Sequence, residues 1–590
     1  MNFTGAESIR WDLSDLYPTE TDLQDDLVLF EPDAEAFNQQ YHGRVQDLEA
    51  ADLSTALDEF SSLQDRIGRA FTYAYLNWST DTGDPSRGKL LQQVREIGTQ
   101  AGKKLLFLDL EWMAIDDDVA GALLASPELD RYHHYLDVQR LQKKHVLTEA
   151  EEQVLAETAV TGSGAWTRFF DESLGAATFE LNGETLSEQE VLSKLHDSDR
   201  DLRKAAAFSL TEGLESNLRT LTFVYNTILA DKASNDRMRK HESWLSARNI
   251  SNEVDDATVA ALVGAVSDRF DISARFYELK KRLLGFDEMF DYDRYAPLEQ
   301  GGLSYSWSEA REVVLQAYEA FHPELGAIAG RFFEGNWIDA AVSSGKRGGA
   351  FSHGAVPSAH PYILMNFTGK IRDVQTLAHE LGHGVHQYLS RDQGVLHADT
   401  PLTTAETASV FGEMLVFSNL LERESDPKAR LSMIVSKIDD SMATVFRQVS
   451  MHRFEDEIHA HRREKGELTS DEFSQYWFET QRDMFGGNVT LGDHYRIWWS
   501  YIPHFIHTPG YVYAYAFGEL LVLALYARYR EVGDSFAGQY LDLLRAGGSD
   551  WPHVLIGRLG IDLTDPGFWG NGLKQIEAMI GEAEALSSEQ

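Results

Sequence analysis

Thr376-Leu377-Ala378-His379-Glu380-Leu381-Gly382-His383-Gly384-Val385-His386-Gln387 is the most informative stretch of the chain. It contains H-E-x-x-H. On an α-helix, positions i and i+4 share a face one turn apart. His379 and His383 can therefore turn an imidazole nitrogen each toward one point, about 2.0–2.1 Å from a zinc ion. Glu380 follows the first of them and sits near such a metal without ligating it, where a general base for water belongs. Val374, Leu377, Ala378, Leu381, Val385 and Leu389 supply the apolar stripe of an amphipathic helix, and Asp373 is placed to cap its start. The competing reading is a surface turn with two solvated imidazoles. Partners elsewhere in the chain decide between the two.

A catalytic zinc takes three protein ligands and keeps one position open. Beyond Pro401, Thr403-Thr404-Ala405-Glu406-Thr407-Ala408-Ser409 opens another helix. Glu406 is far enough from His383 for the chain to turn back and pack alongside, which makes it the third ligand. The bland alternative is a capping box between Thr403 and Glu406. His386 competes for the ligand role, but two helical turns from His379 is about 10 Å along the axis. It suits a supporting or substrate-facing position better, with ligation as the lesser alternative. Glu413 lies two turns beyond Glu406 on the same face. It either orients a histidine through its second ring nitrogen or is a solvated carboxylate.

The 590 residues hold no cysteine, which excludes disulfides, thiol nucleophiles and thiolate-bound zinc, and leaves His and carboxylates as metal ligands. Hydrophobic residues make up 43%, enough for a substantial core. The net charge of −41 disfavours nucleic acid and anionic membranes. It suits basic peptides or a salt-rich surrounding, and reads most simply as a solvated surface. The opening Met1-Asn2-Phe3-Thr4-Gly5-Ala6-Glu7 lacks the pattern of a secretory signal, and no run has the length to span a bilayer, so a cytoplasmic location is expected.

The rest of the chain reads as helices with few breakers, including Ala51–Tyr75, Leu90–Met113 and long amphipathic segments from Asp199 to Arg282. Asp84-Pro85 marks a loop, Thr148 with Glu151 forms a capping box, and Ser187 caps a further helix. Asn182-Gly183 is the turn of a small hairpin. Residues 289–302 are irregular. Helices follow near Ser308–Phe321 and Pro323–Phe333. The glycine-rich stretch around Gly345-Lys346 invites a phosphate-loop reading, but Ala340 stands where the first glycine belongs. A small sheet including Tyr362–Phe367 is expected beside the His379 helix, with an edge able to pair with an extended peptide. The domain reading is an N-terminal helical part, residues 1–200, and a catalytic part, residues 201–590. Near the C-terminus, His504, His507 and alternate tyrosines Tyr511, Tyr513 and Tyr515 mark either aromatic packing, as in a half-buried strand, or donors for an oxyanion.

The His379–His383 helix, Ala405-Glu406-Thr407-Ala408-Ser409 and Tyr511-Val512-Tyr513-Ala514-Tyr515 together resemble the oligoendopeptidase F group of the thimet oligopeptidase (M3) metallopeptidases. Trp11-Asp12-Leu13-Ser14-Asp15-Leu16-Tyr17 is similar to that group's N-terminal opening, so the likeness runs nearly end to end. The resemblance implies a mainly α, zincin-type body with a small β-sheet beside the active-site helix and a deep cavity for short peptides. It implies one zinc ion per chain on His379, His383 and Glu406, with Glu380 as base. It also implies an oxyanion donor at His504, with His507 as alternative, and tyrosine donors at Tyr511 and Tyr515, with Tyr513 not excluded. Gly348-Gly349-Ala350-Phe351 resembles the family's substrate-side strand. The expected activity is zinc-dependent endopeptidase hydrolysis of short oligopeptides; partners are those peptides, not nucleic acid or membrane, and the oligomeric state stays open. Rival readings are a zinc-stabilised protein that holds peptides without cutting them, and a hydrolase of some non-peptide amide.

Overall fold

The structure, a computed structural model, describes residues 3–298 and 304–588. Met1-Asn2 and the expected irregular pair Gly301-Gly302 lie outside them. Among the described residues the fold is mainly α-helical with two small sheets. By compactness the chain forms two units, each made of three separate segments: Met1–Lys143, Gly302–Arg423 and Arg528–Ile561 in one, Lys144–Gly301, Glu424–Ala527 and Asp562–Gln590 in the other.

In the first unit, helices Glu20–Tyr41, Ala50–Ser79 and Pro85–Leu105 pack on one another. Their buried stripes, with Leu23, Phe30, Phe37, Phe60 and Leu91, join Trp112 of the following helix Phe107–Ala114 in the unit's core. Asp84 caps the third of these helices through the Ser86 amide, and Pro85 occupies the first helical position, where no amide donor is needed. The expected run Leu90–Met113 is two helices, broken at Leu106.

The second unit is built on a 39-residue helix, Arg200–Met238, whose apolar residues join Phe473, Trp477, Trp498 and Trp499 in a core of their own. The hairpin of β1 (Phe179–Leu181) and β2 (Glu184–Leu186) turns at Asn182 and Gly183, both with positive φ, as the two-residue turn requires. The Thr148–Glu151 and Ser187–Glu190 capping boxes are formed.

The second sheet lies in the first unit. Its strands β3 (Ile338–Asp339), β4 (Phe351–His353) and β5 (Tyr362–Leu364) run in the order β3-β5-β4. The central β5 pairs parallel with β3 and antiparallel with β4, and both β4 and β5 contact the His379 helix. Lys346, next to the Gly345 that suggested a phosphate loop, is instead a lock on this sheet. Its side chain is 1% exposed, with Nζ 2.6 Å from Asp339 and bonded to the carbonyls of Ala341 and Met365.

The His379 helix spans Ile371–Ser390 and buries Val374, Leu377, Ala378, Leu381 and Val385. Its start differs in detail from expectation. Lys370 is the cap position, and Asp373 lies three residues inside. The Asp373 carboxylate still does the capping chemistry, accepting from the amides of Thr368 and Lys370.

Candidate active site

Two helices set the geometry. The His379 helix crosses the helix Ser409–Arg423 closely enough that a Cβ on Gly382 would collide with the Ala408 carbonyl and the Ser409 Cα. Gly412 answers from the other side, its Cα facing Ala378 O and the Tyr318 hydroxyl. Tyr318 is fully buried and donates to that same carbonyl at 2.6 Å. Side chains at these two positions would push the helices apart.

The close crossing brings Glu406 to the histidines. Glu406 is not in the first turn of one continuous helix, as the sequence suggested. A short helix, Leu402–Ala405, ends at it, and the next begins at Ser409. Thr403 sits inside the short helix, after Pro401 in the cap position, so the alternative reading of a Thr403–Glu406 capping box does not describe this turn. The break frees the Glu406 carboxylate to face sideways. Its Oε2 lies 3.5 Å from His379 Nε2 and 3.4 Å from His383 Nε2, and accepts from Ser409 Oγ at 2.6 Å.

His379, His383 and Glu406 each present one ligand atom, all within 4.8 Å of one another. Tetrahedral zinc with bonds of about 2.0–2.1 Å places its ligands about 3.3 Å apart, close to the two Nε2–Oε2 separations. Two imidazole nitrogens and a carboxylate oxygen are also the donor types that zinc takes in catalytic sites. The residues present fit that ion.

The other ring nitrogen of His379 is held as well. Nδ1 donates to Glu413 Oε1 at 2.6 Å, which settles Glu413 as an orienting partner and leaves Nε2 facing Glu406. Burial alone would disfavour a charged His379, but the Glu413 hydrogen bond and the charges of Glu413 and Glu406 overcome it and push its pKa up to about 9. Burial likewise works to raise the Glu406 pKa. Its contacts with His383 and His379 prevail and hold it at about 2. Glu380 is 7% exposed, and burial raises its pKa. The Ser352 backbone on β4 hydrogen-bonds to it.

A cavity of about 550 Å³ opens at this cluster, with His379, Glu380, His383, His386 and Gln387 on the helix side and Ala350, Phe351 and Ser352 on the β4 side. His386 lines it without joining the three convergent ligand atoms; burial drives its pKa down to about 4. Ser352 Oγ donates to Gln387 at 2.8 Å and ties β4 to the helix. Ser352, Gln387 and Asp399, the last also lining the cavity, carry no motif in the sequence. For the first two, the only hint was adjacency to the Ala350-Phe351 strand and to the His379 motif.

In the second unit, the segment of alternate tyrosines, for which a half-buried strand is one reading of the sequence, is helical from Tyr513. His504–His507 is one short turn, and Tyr513–Val532 a long helix. Tyr511 precedes the helix, Tyr515 lies in its first turn, and the two rings meet while Tyr513 turns away. The Tyr511 and Tyr515 rings lie 5.0 Å apart edge to face, and Tyr515 Oη is 3.2 Å from His504 Nε2. Tyr513 is fully buried, its hydroxyl held between Asn249 and Asn252 at 2.8 Å each. His507 points elsewhere, 2.8 Å from Asp171. The structure thus groups His504, Tyr511 and Tyr515, and separates His507 and Tyr513 from them.

A helix carrying two convergent histidines with a glutamate between them, and a carboxylate brought to them from the break before the next helix, make a metallopeptidase type of site. Comparison with known proteins agrees. A family model described as Peptidase family M3 matches residues 193–574, and one described as Oligopeptidase F matches residues 111–179. The chain belongs to peptidase family M3. It is 29% identical to Oligopeptidase PepF of Bacillus subtilis over 587 residues, covering 98% of this chain and 87% of that one. It is 26% identical to the Oligoendopeptidase F homolog of Borreliella burgdorferi, over 98% of both. Among solved structures, one from Chlamydophila abortus superposes with a TM-score of 0.89 at 24% identity over 98% of both chains. Oligoendopeptidase-F from Enterococcus faecium gives 0.72 at 23% identity, over 97% of this chain and all of that one. At these identities the structures speak for the fold alone, which is that of the oligoendopeptidase F and M3 peptidase structures.

Proposed function

We propose that this peptidase is a zinc-dependent endopeptidase of short oligopeptides, with His379, His383 and Glu406 as ligands. The observation that carries the reading is the convergence of those three ligand atoms beside a buried Glu380, at the wall of a cavity edged by β4. A zinc ion bound there supplies Lewis acidity to a scissile carbonyl and acidifies water. Glu380 accepts the proton of the attacking water and later delivers it to the leaving amine. Glu413 accepts the Nδ1 hydrogen of His379 and fixes the ring, so that Nε2 would be the atom that holds the ion. The free edge of β4 gives an extended peptide a backbone to pair with. His504, Tyr511 and Tyr515 donate to the oxyanion; their mutual contacts support treating them as one group.

We divide the chain into an N-terminal helical part, residues 1–200, and a catalytic part, residues 201–590, a division different in kind from the two compact units, each of three sequence segments. No helix among the described residues is long and apolar enough to cross a membrane, and the place of work we assign is the cytoplasm. The test is a quenched-fluorescent peptide of about ten residues incubated with the protein, with chelator, and after zinc is restored. Cleavage that stops with chelator and returns with zinc supports the proposal; cleavage indifferent to chelator, or peptide bound and never cut, contradicts it.

A further inference from the structure

Buried cations in this protein follow a rule. Arg203 lies 2.8 Å from Asp293, Lys280 lies 2.7 Å from Asp439, and Lys437 lies 4.0 Å from Glu519. Arg294 breaks it. It is 4% exposed, yet no carboxylate of the described residues comes within 4.0 Å. Close by stands a second guanidinium, Arg447, densely surrounded although part of its side chain still meets water, and it too has no carboxylate partner at that distance. The Nε of each is sealed from solvent and has no hydrogen-bond partner. The acids nearby are engaged elsewhere. Asp291 takes His494 and the Gly492 amide, and both oxygens of Asp439 take Lys280.

What surrounds the pair is phenol. Arg294 donates to Tyr495 Oη at 2.9 Å, and Arg447 donates to Tyr295 Oη. Tyr501 also hydrogen-bonds to Arg447. Tyr495, Trp498 and Tyr501 follow one another at intervals of three on the 3₁₀-helix Asp493–Tyr501, where three residues make one turn and so align on one face. A 3₁₀ run of nine residues is uncommon, and Arg447 itself follows directly on a π-helical stretch, Met442–Phe446, another rare geometry that gathers at functional sites. The 3₁₀-helix thus presents a face of Tyr495, Trp498 and Tyr501 to Arg294, which follows the short turn Asp291–Asp293, and to Arg447, which follows the π-helical stretch. Phenol groups alone leave the charge of the buried Arg294 and its neighbour Arg447 without a carboxylate counter-charge, and one small anion offsets part of it.

We propose that Arg294 and Arg447, with Tyr295, Tyr495 and Tyr501, bind one small monovalent anion: the terminal carboxylate of a peptide, or chloride. Tyr501 stands three residues before His504, and Arg447's charge adds to burial in holding the His504 pKa below its ordinary value, so the site adjoins the proposed oxyanion group. The carboxylate source rests on the peptidase reading; the anion site does not.

The zinc-loaded protein is melted while chloride or acetate rises from about 1 to 100 mM, with ionic strength held constant by methanesulfonate. A saturable rise in Tm with either anion in the native protein, lost in Arg447→Met and weakened but kept in Arg447→Lys, supports the site. Curves that superpose for all salts overturn it, and the native titration decides this even where the Met variant fails to fold. A second arm compares a peptide with its C-terminal amide. A KM at least tenfold higher for the amide, with the gap closing in Arg447→Met, identifies the substrate carboxylate; equal KM values together with a chloride response identify chloride. A protein that cuts neither peptide contradicts the peptidase reading, and the melting curves still decide the anion site.

Discussion

His379 Nδ1 and Glu413 Oε1 are 2.6 Å apart, across two helices that cross where Gly382 and Gly412 leave room. One carboxylate thereby fixes the rotation of a ring whose other nitrogen faces Glu406. Partners of this kind set the affinity of a metal site for its ion. Glu413→Gln keeps the shape and loses the charge, and is expected to weaken zinc binding about 10- to 100-fold. Competition with a fluorescent chelator measures it. Native affinity in the variant would remove the orienting role.

Gly382→Ala tests the crossing itself. Its Cβ would meet backbone atoms of Ala408 and Ser409, not the pliable end of a side chain. Overpacking of this kind costs about 1–3 kcal/mol. Because the displaced segment follows Glu406 directly, Tm and zinc affinity are expected to fall together. Unchanged values of both would contradict the close approach.

Tyr515 and Tyr513 should behave as opposites. Tyr515→Phe removes the hydroxyl beside His504 and is expected to lower kcat about 10²- to 10³-fold with little change in Tm. Tyr513→Phe breaks the bonds to Asn249 and Asn252 and is expected to lower Tm, with kcat nearly kept. Steady-state kinetics and melting of the two variants check this; a kcat loss confined to Tyr513→Phe would reverse the assignment.

Glu455 gives stability a dependence on pH. It is 1% exposed, accepts from the Gly510 amide at 2.8 Å, and burial pushes its pKa up to about 8. The folded chain keeps this proton over a range where the unfolded chain, with an ordinary glutamate near 4.5, has lost it. Each pH unit between those values therefore removes up to about 1.4 kcal/mol of stability, and outside them the slope vanishes. Glu455→Gln carries no such proton. Its Tm relative to the native protein should climb from pH 5 to pH 8; a constant difference would contradict the buried neutral acid.

How far the sequence could be read follows the range of the forces involved. The His379–His383 face, the Asn182-Gly183 turn and the Thr148 and Ser187 caps are local: their partners lie within a few residues, and periodicity or turn chemistry exposes them. Asp373 was recognised as capping although it stands inside the helix, because a carboxylate can reach amides from either position. Glu406 is legible as the carboxylate that would complete the site, but neither the helix break that turns it sideways nor the close crossing at Gly382 shows in any sequence pattern. Tyr511, Tyr513 and Tyr515 look like strand alternation, and packing of the Tyr513–Val532 helix decides otherwise. Arg294 and Arg447 are distant in sequence, and nothing in either neighbourhood announces that they lack carboxylate partners.

The central claim is that Glu380 moves the proton while the three ligands hold zinc. The most direct measurement is kcat of Glu380→Gln carrying one zinc per chain, on the quenched-fluorescent peptide. A fall of at least about 10²-fold is expected, within the roughly 10²–10⁴ range typical of a lost general base. A fully metallated variant that cleaves the peptide at the native rate would contradict it.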